Sequence, residues 1–90
     1  MEIIIKKEGK ELSFKLIEPT FEVKALAISK MMRGSGDVDL IGSGGILFDA
    51  CYSEGVEKLL KIKQDIDLYI SICLSCANMI NIYEGELKKN

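Results

Sequence analysis

The residues whose spacing could best support chemistry are two cysteines, Cys73 and Cys76, which form a C-x-x-C pattern. Redox dithiols use this spacing, as does half of many zinc sites. A structural zinc needs four ligands, but the chain has no histidine and only one further cysteine, Cys51. A redox pair is expected at a helix N-terminus, where the dipole lowers the thiol pKa, whereas this pair lies inside an apolar run. The sequence therefore predicts buried core cysteines, with a redox pair and a metal site shared between chains as the alternatives.

A glycine-rich stretch between Gly34 and Gly45 could cradle a phosphate, since glycine backbones at a helix start can bind oxyanions. Neither the G-x-x-x-x-G-K-[ST] pattern nor a G-x-G-x-x-G after a strand occurs there. The glycines instead predict close packing of a helix against a neighbour, because a missing side chain lets another backbone approach. The residues expected on that helical face are Ile41, Gly44, Gly45, Phe48 and Cys51.

General acid–base catalysis requires titratable groups that converge, and the chain has no histidine. Asp49 is the one acid embedded in a strongly apolar stretch, and we expect it on a solvated flank. No serine or cysteine has a recognisable partner base. The sequence therefore predicts no catalytic residues, no cofactor and no metal, and we expect a protein that is not an enzyme.

The composition is that of an ordinary folded domain. Hydrophobic residues make up 48% and charged residues 29% of the 90 residues. Twelve basic and fourteen acidic residues are interspersed, which disfavours nucleic-acid binding because such binders gather cations on one face. The longest charge-free run, 68–83, is shorter than the ~20 apolar residues that span a bilayer. Three cysteines without an export signal fit a reducing compartment. We expect a cytoplasmic protein with neither nucleic-acid nor membrane partners.

The order of patterns predicts an α+β fold, in which an N-terminal β-hairpin is followed by about three helices in a single domain over 1–90. Leu12, Phe14 and Leu16 alternate with polar residues beside a glycine turn, which predicts a hairpin over 2–17 with one covered face. Helical spacing predicts three helices and one further short turn of helix. Their expected bounds are about 19–33, 38–52 and 64–86, with the short turn at 56–62.

The ends of these helices are also readable from the sequence. Pro19 suits the first helical position because its missing N–H would be unpaired there, and Asp37 or Asp39 can cap the second helix. Asp65 or Gln64 begins the last helix. One apolar stripe of the first helix is expected at Phe21, Ala25, Ile28 and Met32, widened by Leu26.

The last predicted helix carries two apolar stripes. One consists of Ile66, Tyr69, Ile70, Cys73, Leu74, Ala77 and Ile80. The other consists of Leu68, Ile72, Cys76, Met79 and Ile82. A helix that is apolar on two sides is either central in its domain or packs the domain on one side and a partner on the other. The second stripe is our candidate for partner binding or self-association, and we expect a homo-oligomer.

This order of elements resembles the small tail assembly chaperones of tailed phages and prophages. The similarity covers most of the chain, and its main feature is the step Leu16-Ile17-Glu18-Pro19-Thr20 from a hairpin into an amphipathic helix. The glycines between Gly42 and Gly45 depart from it. The resemblance implies a non-enzymatic protein that coats the long tape-measure protein and keeps its hydrophobic segments soluble before the tail tube polymerises. The alternatives are a homo-oligomeric structural or regulatory protein that uses the last helix as its interface, and a small enzyme or redox protein.

Overall fold

The predicted α+β fold is confirmed. The computed structural model describes residues 1–32, 39–81, 83 and 85–88, and within them an antiparallel hairpin precedes four helices. The short turn expected at 56–62 is a full helix, which accounts for the fourth. The elements are β1 (Glu2–Lys7), β2 (Lys10–Lys15), α1 (Phe21–Met31), α2 (Leu40–Cys51), α3 (Val56–Gln64) and α4 (Ile66–Ala77).

The hairpin turn consists of Glu8 and Gly9, between the paired residues Lys7 and Lys10. Both turn residues have positive φ, 50° for Glu8 and 78° for Gly9. This is the pattern of a two-residue type I′ turn, whose twist matches that of the flanking strands. Glycine adopts it without steric cost, whereas Glu8 is held in a conformation that residues with a Cβ rarely adopt.

One face of the hairpin covers the core, as predicted. Phe14 and Leu16 are buried, and Leu12 packs against the buried cluster. On β1 the core-facing residues are Ile3 and Ile5, which are paired with Phe14 and Leu12 respectively. The opposite face of the hairpin is exposed to solvent.

Residues 51–53, which we call the exit segment of α2, hold the end of β2. Leu16 and Tyr52 form an isolated antiparallel bridge. On either side of it, the Ile17 N–H donates to the carbonyl of Cys51 at 2.9 Å and the Ser53 N–H donates to the carbonyl of Lys15 at 3.1 Å. The hairpin and the end of α2 are therefore joined through the backbone as well as through side chains.

The first two helices begin at side-chain caps. Thr20 Oγ1 accepts the Val23 N–H at 3.3 Å, so Pro19 lies before the cap and not at the first helical position, and that prediction is wrong. A threonine hydroxyl can satisfy a free N–H of the first turn, which proline cannot do. Asp39 caps α2 by accepting the Gly42 N–H at 2.7 Å. This confirms one of the two predicted caps, since Asp37 lies outside the described residues.

Helix α4 begins where predicted but is shorter than the expected 64–86. The Asp65 carboxylate accepts the Leu68 N–H at 3.3 Å and caps the helix. The helix ends at Ala77, and the N–H groups of the next three residues bond to carbonyls three positions back. Asn78 and Asn81 are poor helix formers, and Gly85 would weaken any continuation. The apolar spacing beyond Ala77 was therefore mistaken for helix.

The core lies between the inner face of the hairpin and helices α1, α2 and α4. Helix α3 contributes no fully buried residue and packs only partly buried side chains against it. Among the described residues, no helix is both long and apolar enough to cross a membrane. The fully or nearly buried members of the cluster are Phe14, Leu16, Ala27, Leu47, Phe48, Cys51, Ile72 and Cys76.

Candidate interaction surface

The three cysteines are buried in the core and not grouped at a surface. Cys51, Cys73 and Cys76 are each at most 1% exposed and are free thiols. Burial raises the pKa of Cys76 to about 12, and it also raises the pKa values of Cys51 and Cys73. The thiolate is the reactive form of cysteine. These positions and shifts confirm the prediction of core cysteines, because a redox pair needs access and a lowered pKa.

The stripe proposed for partner binding on α4 is wrong in its central residues. Ile72 and Cys76 are fully buried, while Leu68 and Met79 are partly buried against the core. Ile82, the fifth member, lies outside the described residues. The reason is the position of α4, which packs against α2, α3 and β1 and so buries parts of both stripes. Its exposed apolar residues are Ile66 and Leu74, both from the other stripe.

The best-formed polar cluster joins α2, α3 and α4. The Tyr69 hydroxyl donates to Asp49 Oδ1 at 2.7 Å, and Lys63 Nζ donates to Asp49 Oδ2 at 2.7 Å. The tyrosine ring packs edge-on against Phe48. Burial and the bond to Asp49 raise the pKa of Tyr69 far above its ordinary value, so the hydroxyl stays protonated and keeps donating.

This cluster links three helices through side-chain hydrogen bonds. Asp49 lies on a solvated flank, as predicted, and its carboxylate is paired twice there. Its two oxygens accept from Tyr69 and Lys63, so the carboxylate links α2 to both α3 and α4. No local sequence pattern indicates this cluster, because its members are brought together only by the packing of three helices.

Helix α1 carries the apolar stripe that the core leaves uncovered. Phe21 is 82% and Met32 is 67% exposed, and Ala25 and Ile28 between them are partly exposed. The core contacts of α1 come from a different side of the helix, through Val23 and Ala27. The predicted stripe is therefore present at the predicted spacing, but it does not form the buried side of the helix.

A groove between α1 and α2 adjoins this helix. It has a volume of about 220 Å³ and is lined by Leu26, Ser29, Lys30 and Ile46. Lys30 pairs with Asp39 across the groove end at 3.6 Å. Pockets for small molecules usually measure about 300 to 1,000 Å³, so this open, mostly apolar groove is better suited to one or two side chains of a protein partner.

A smaller cavity of about 110 Å³ lies between β1 and the first half of α4. Its lining combines apolar and charged residues. At this end of the molecule Lys7 forms an ion pair with Asp65, the cap of α4. The residues that line the cavity are Ile5, Lys6, Lys7, Asp67, Leu68 and Ser71.

Within the described residues, no group of three or more Cys, Asp or Glu side chains is placed to hold a metal ion. No family model matches this chain, and neither a curated protein nor a solved structure matches it. What the described surface offers a partner is apolar area on α1 and unpaired backbone groups on the hairpin edge.

Proposed function

We propose that this chain is a non-enzymatic binding module that covers an apolar segment of a protein partner. The observation that carries the proposal is the exposed stripe on α1, with Phe21 at one end and Met32 at the other. A tail assembly chaperone, the family that the sequence resembles, would use such a surface to cover hydrophobic stretches of a tape-measure protein. The resemblance suggests the partner, and the stripe supplies a means of binding it.

The size of the stripe suits a helical partner segment. Helix α1 has 11 residues and is therefore about 16 Å long at 1.5 Å per residue. An amphipathic helix laid along it could bury Phe21 and Met32, each worth roughly 1.5 to 3 kcal/mol when fully removed from water. Association itself costs about 4 kcal/mol or more, so the apolar face of the partner helix must supply the rest of the favourable energy. The complex is therefore weak and reversible, as a chaperone requires.

The alternative proposal, a homo-oligomer built on the last helix, is less well supported. Its interface would have to use Ile72 and Cys76, and both are in the core. Self-association through other elements remains compatible with a binding module, because the α1 stripe and the hairpin edge are separate surfaces.

Binding can be tested with a fluorescently labelled amphipathic peptide of about 20 residues, rich in leucine on one face, by measuring anisotropy. We expect binding, and we expect Phe21→Ser and Met32→Ser each to weaken it by about tenfold or more, since each removes at least ~1.5 kcal/mol of burial. Val56→Ser on α3 is the matched control, because Val56 is similarly exposed but lies on another helix.

The proposal fails if the peptide does not bind, or if Val56→Ser weakens binding as much as the α1 variants. The identity of the partner has a separate test. A gene for a long tape-measure protein directly downstream belongs only to the chaperone proposal, and co-expression should then keep that protein soluble. Loss of this solubilisation in Phe21→Ser would assign it to α1.

A further inference from the structure

Strand β1 has one edge that no other strand of the described residues occupies. The sheet contains only β1 and β2 among the described residues, and β1 pairs with β2 along its whole length. Within the part of the chain that the structure describes, the other edge of β1 therefore presents N–H and C=O groups that pair with no strand. Such an edge is a template for another strand, and proteins normally cover or disrupt it.

The hairpin geometry identifies which residues offer those groups. Met1 and Leu16 exchange two backbone hydrogen bonds, at 2.8 and 3.0 Å. Bonded and non-bonded pairs alternate along an antiparallel ladder, so Ile3 and Ile5 also direct their N–H and C=O groups towards β2. By the same alternation, Glu2, Ile4 and Lys6 direct theirs away from it, to the free edge.

We propose that β1 pairs antiparallel with β1 of a second copy of this chain, with a two-fold axis at Ile4. This register places Ile4 opposite Ile4 of the second copy and Glu2 opposite Lys6 of the second copy. Each of these pairs can exchange two hydrogen bonds, giving about six in all. The result is a four-stranded antiparallel sheet.

The charges on the outer face are complementary in this register. Within one hairpin Lys15 lies opposite Glu2, and Lys6 lies opposite Glu11. Across the four strands of the dimer, four side chains then lie in one row, with charges that alternate between positive and negative. They are Lys15, Glu2, Lys6 of the second copy and Glu11 of the second copy. Opposite charges on facing residues stabilise a strand pair, whereas like charges destabilise it.

The same residues select against other arrangements. In a parallel pairing in register, Lys6 would face Lys6 and Glu2 would face Glu2. Ile4 lies at the centre of the exposed face and is 53% exposed, so its contact with its own counterpart would remove apolar area from water at the axis. The sequence of β1 therefore favours a second copy in one orientation over an arbitrary extended peptide.

The cavity between β1 and α4 lies beside this edge. Three β1 residues and three α4 residues line it, and Lys6, whose backbone groups point to the free edge, is one of them. Facing residues of an antiparallel pair project to the same side of the sheet, so Ile3 of the second copy would stand opposite Ile5. The cavity provides room for the inner side chains of the added strand.

A strand of six residues is a small interface. Stable complexes usually bury about 800 Å² on each partner, so we expect a dimer that dissociates on dilution through the micromolar range. Sedimentation velocity over a range of concentrations measures this directly. Lys6→Glu and Glu2→Lys should each weaken the dimer at least tenfold, because each places like charges at both ends of the seam.

The double variant Glu2→Lys/Lys6→Glu should dimerise more tightly than either single variant, because it restores opposite charges across the seam. Within each hairpin it places like charges opposite Lys15 and Glu11, so its dimer should stay weaker than that of the wild type. Lys10→Glu is the matched control, since it makes the same change in the same hairpin on β2, and it should leave the dimer intact. A wild type that is monomeric at about 500 µM, or a double variant no better than the singles, overturns the proposal.

A backbone variant tests the hydrogen bonds themselves. Ile4→Pro removes an N–H that points away from β2, and proline is tolerated at such edge positions. It should be folded by circular dichroism but monomeric. In the wild type, the Ile4 amide should exchange with deuterium more slowly at high than at low protein concentration. An exchange rate at Ile4 that is independent of concentration would assign any dimer to another surface.

Discussion

Replacing Gly44 with alanine should destabilise the protein through the contact between α2 and α4. A Cβ at this position would lie 1.7 Å from the carbonyl oxygen of Cys73, half of the 3.4 Å at which ordinary contact begins. The obstacle is backbone, so no side-chain rotation can relieve it. The two helices would have to separate, which would loosen the packing of Leu47, Phe48 and Ile72 in the core.

The magnitude follows from two opposing terms. Overpacking a core costs typically about 1 to 3 kcal/mol and sometimes more, and a clash with a rigid backbone belongs at or above the upper end. Alanine is better than glycine within a helix by about 1 kcal/mol. We therefore expect Gly44→Ala to lower the free energy of unfolding by about 2 kcal/mol or more, a large share of the stability of a domain this size.

Gly45→Ala is the matched control on the neighbouring residue. Its Cβ would lie 3.3 Å from the Tyr69 hydroxyl and 3.5 Å from Cys73 Sγ, so a small side-chain shift accommodates it. The gain in helix propensity then remains, and this variant should be unchanged or up to about 1 kcal/mol more stable. Urea unfolding followed by circular dichroism measures both. Equal stability of the two variants would refute the packing argument.

Three other changes test the burial of the core and the turn. Thiols ionise near pH 9.0 when unfolded, but Cys76 does so only at about 12 when folded, so the unfolded state loses protons first. The free energy of unfolding should therefore fall above about pH 9, by up to ~1.4 kcal/mol per pH unit for each such thiol, and the urea midpoint should fall with it. A constant midpoint to pH 10.5 would contradict this. Ile72→Glu should unfold the protein, because a buried charge costs several kcal/mol. Ile66→Glu, at an exposed position of the same helix, should give the circular dichroism spectrum of the folded protein. If the Ile72→Glu variant also gave that spectrum, Ile72 would have to lie at the surface. Glu8→Asn should raise the free energy of unfolding by about 0.5 to 1 kcal/mol, because asparagine tolerates positive φ, and a lower urea midpoint would rule out strain at this turn.

The sequence was sufficient where the signal is local. Alternation and a glycine turn predicted the hairpin, and acids before apolar runs predicted the caps at Asp39 and Asp65. Gly44 lies on a face expected to approach another backbone, and it does so at Cys73. Each of these features depends on a few consecutive residues or on one helical face.

The sequence was insufficient where a helix is apolar on more than one side. Spacing identifies a stripe but does not show which side faces inward. On α1 the core contact is made by Val23 and the small Ala27, while the larger Phe21 remains outside. On α4 the chosen stripe includes Ile72, which is buried. These choices depend on how the helices pack together, which no single segment encodes.

The exit segment of α2 determines how far the sheet can grow. Pairing of β1 with its own copy would use the same edge on both chains, so the assembled sheet would end at β2 on each side. There the backbone of residues 51–53 occupies the positions beside Lys15 and Ile17. Of the described β2 residues that point outward, this leaves Glu11 and Ser13 for an incoming strand to pair with. An edge that short offers too few backbone hydrogen bonds to hold a further strand. Assembly through the hairpin would therefore close at two chains instead of continuing into a fibre.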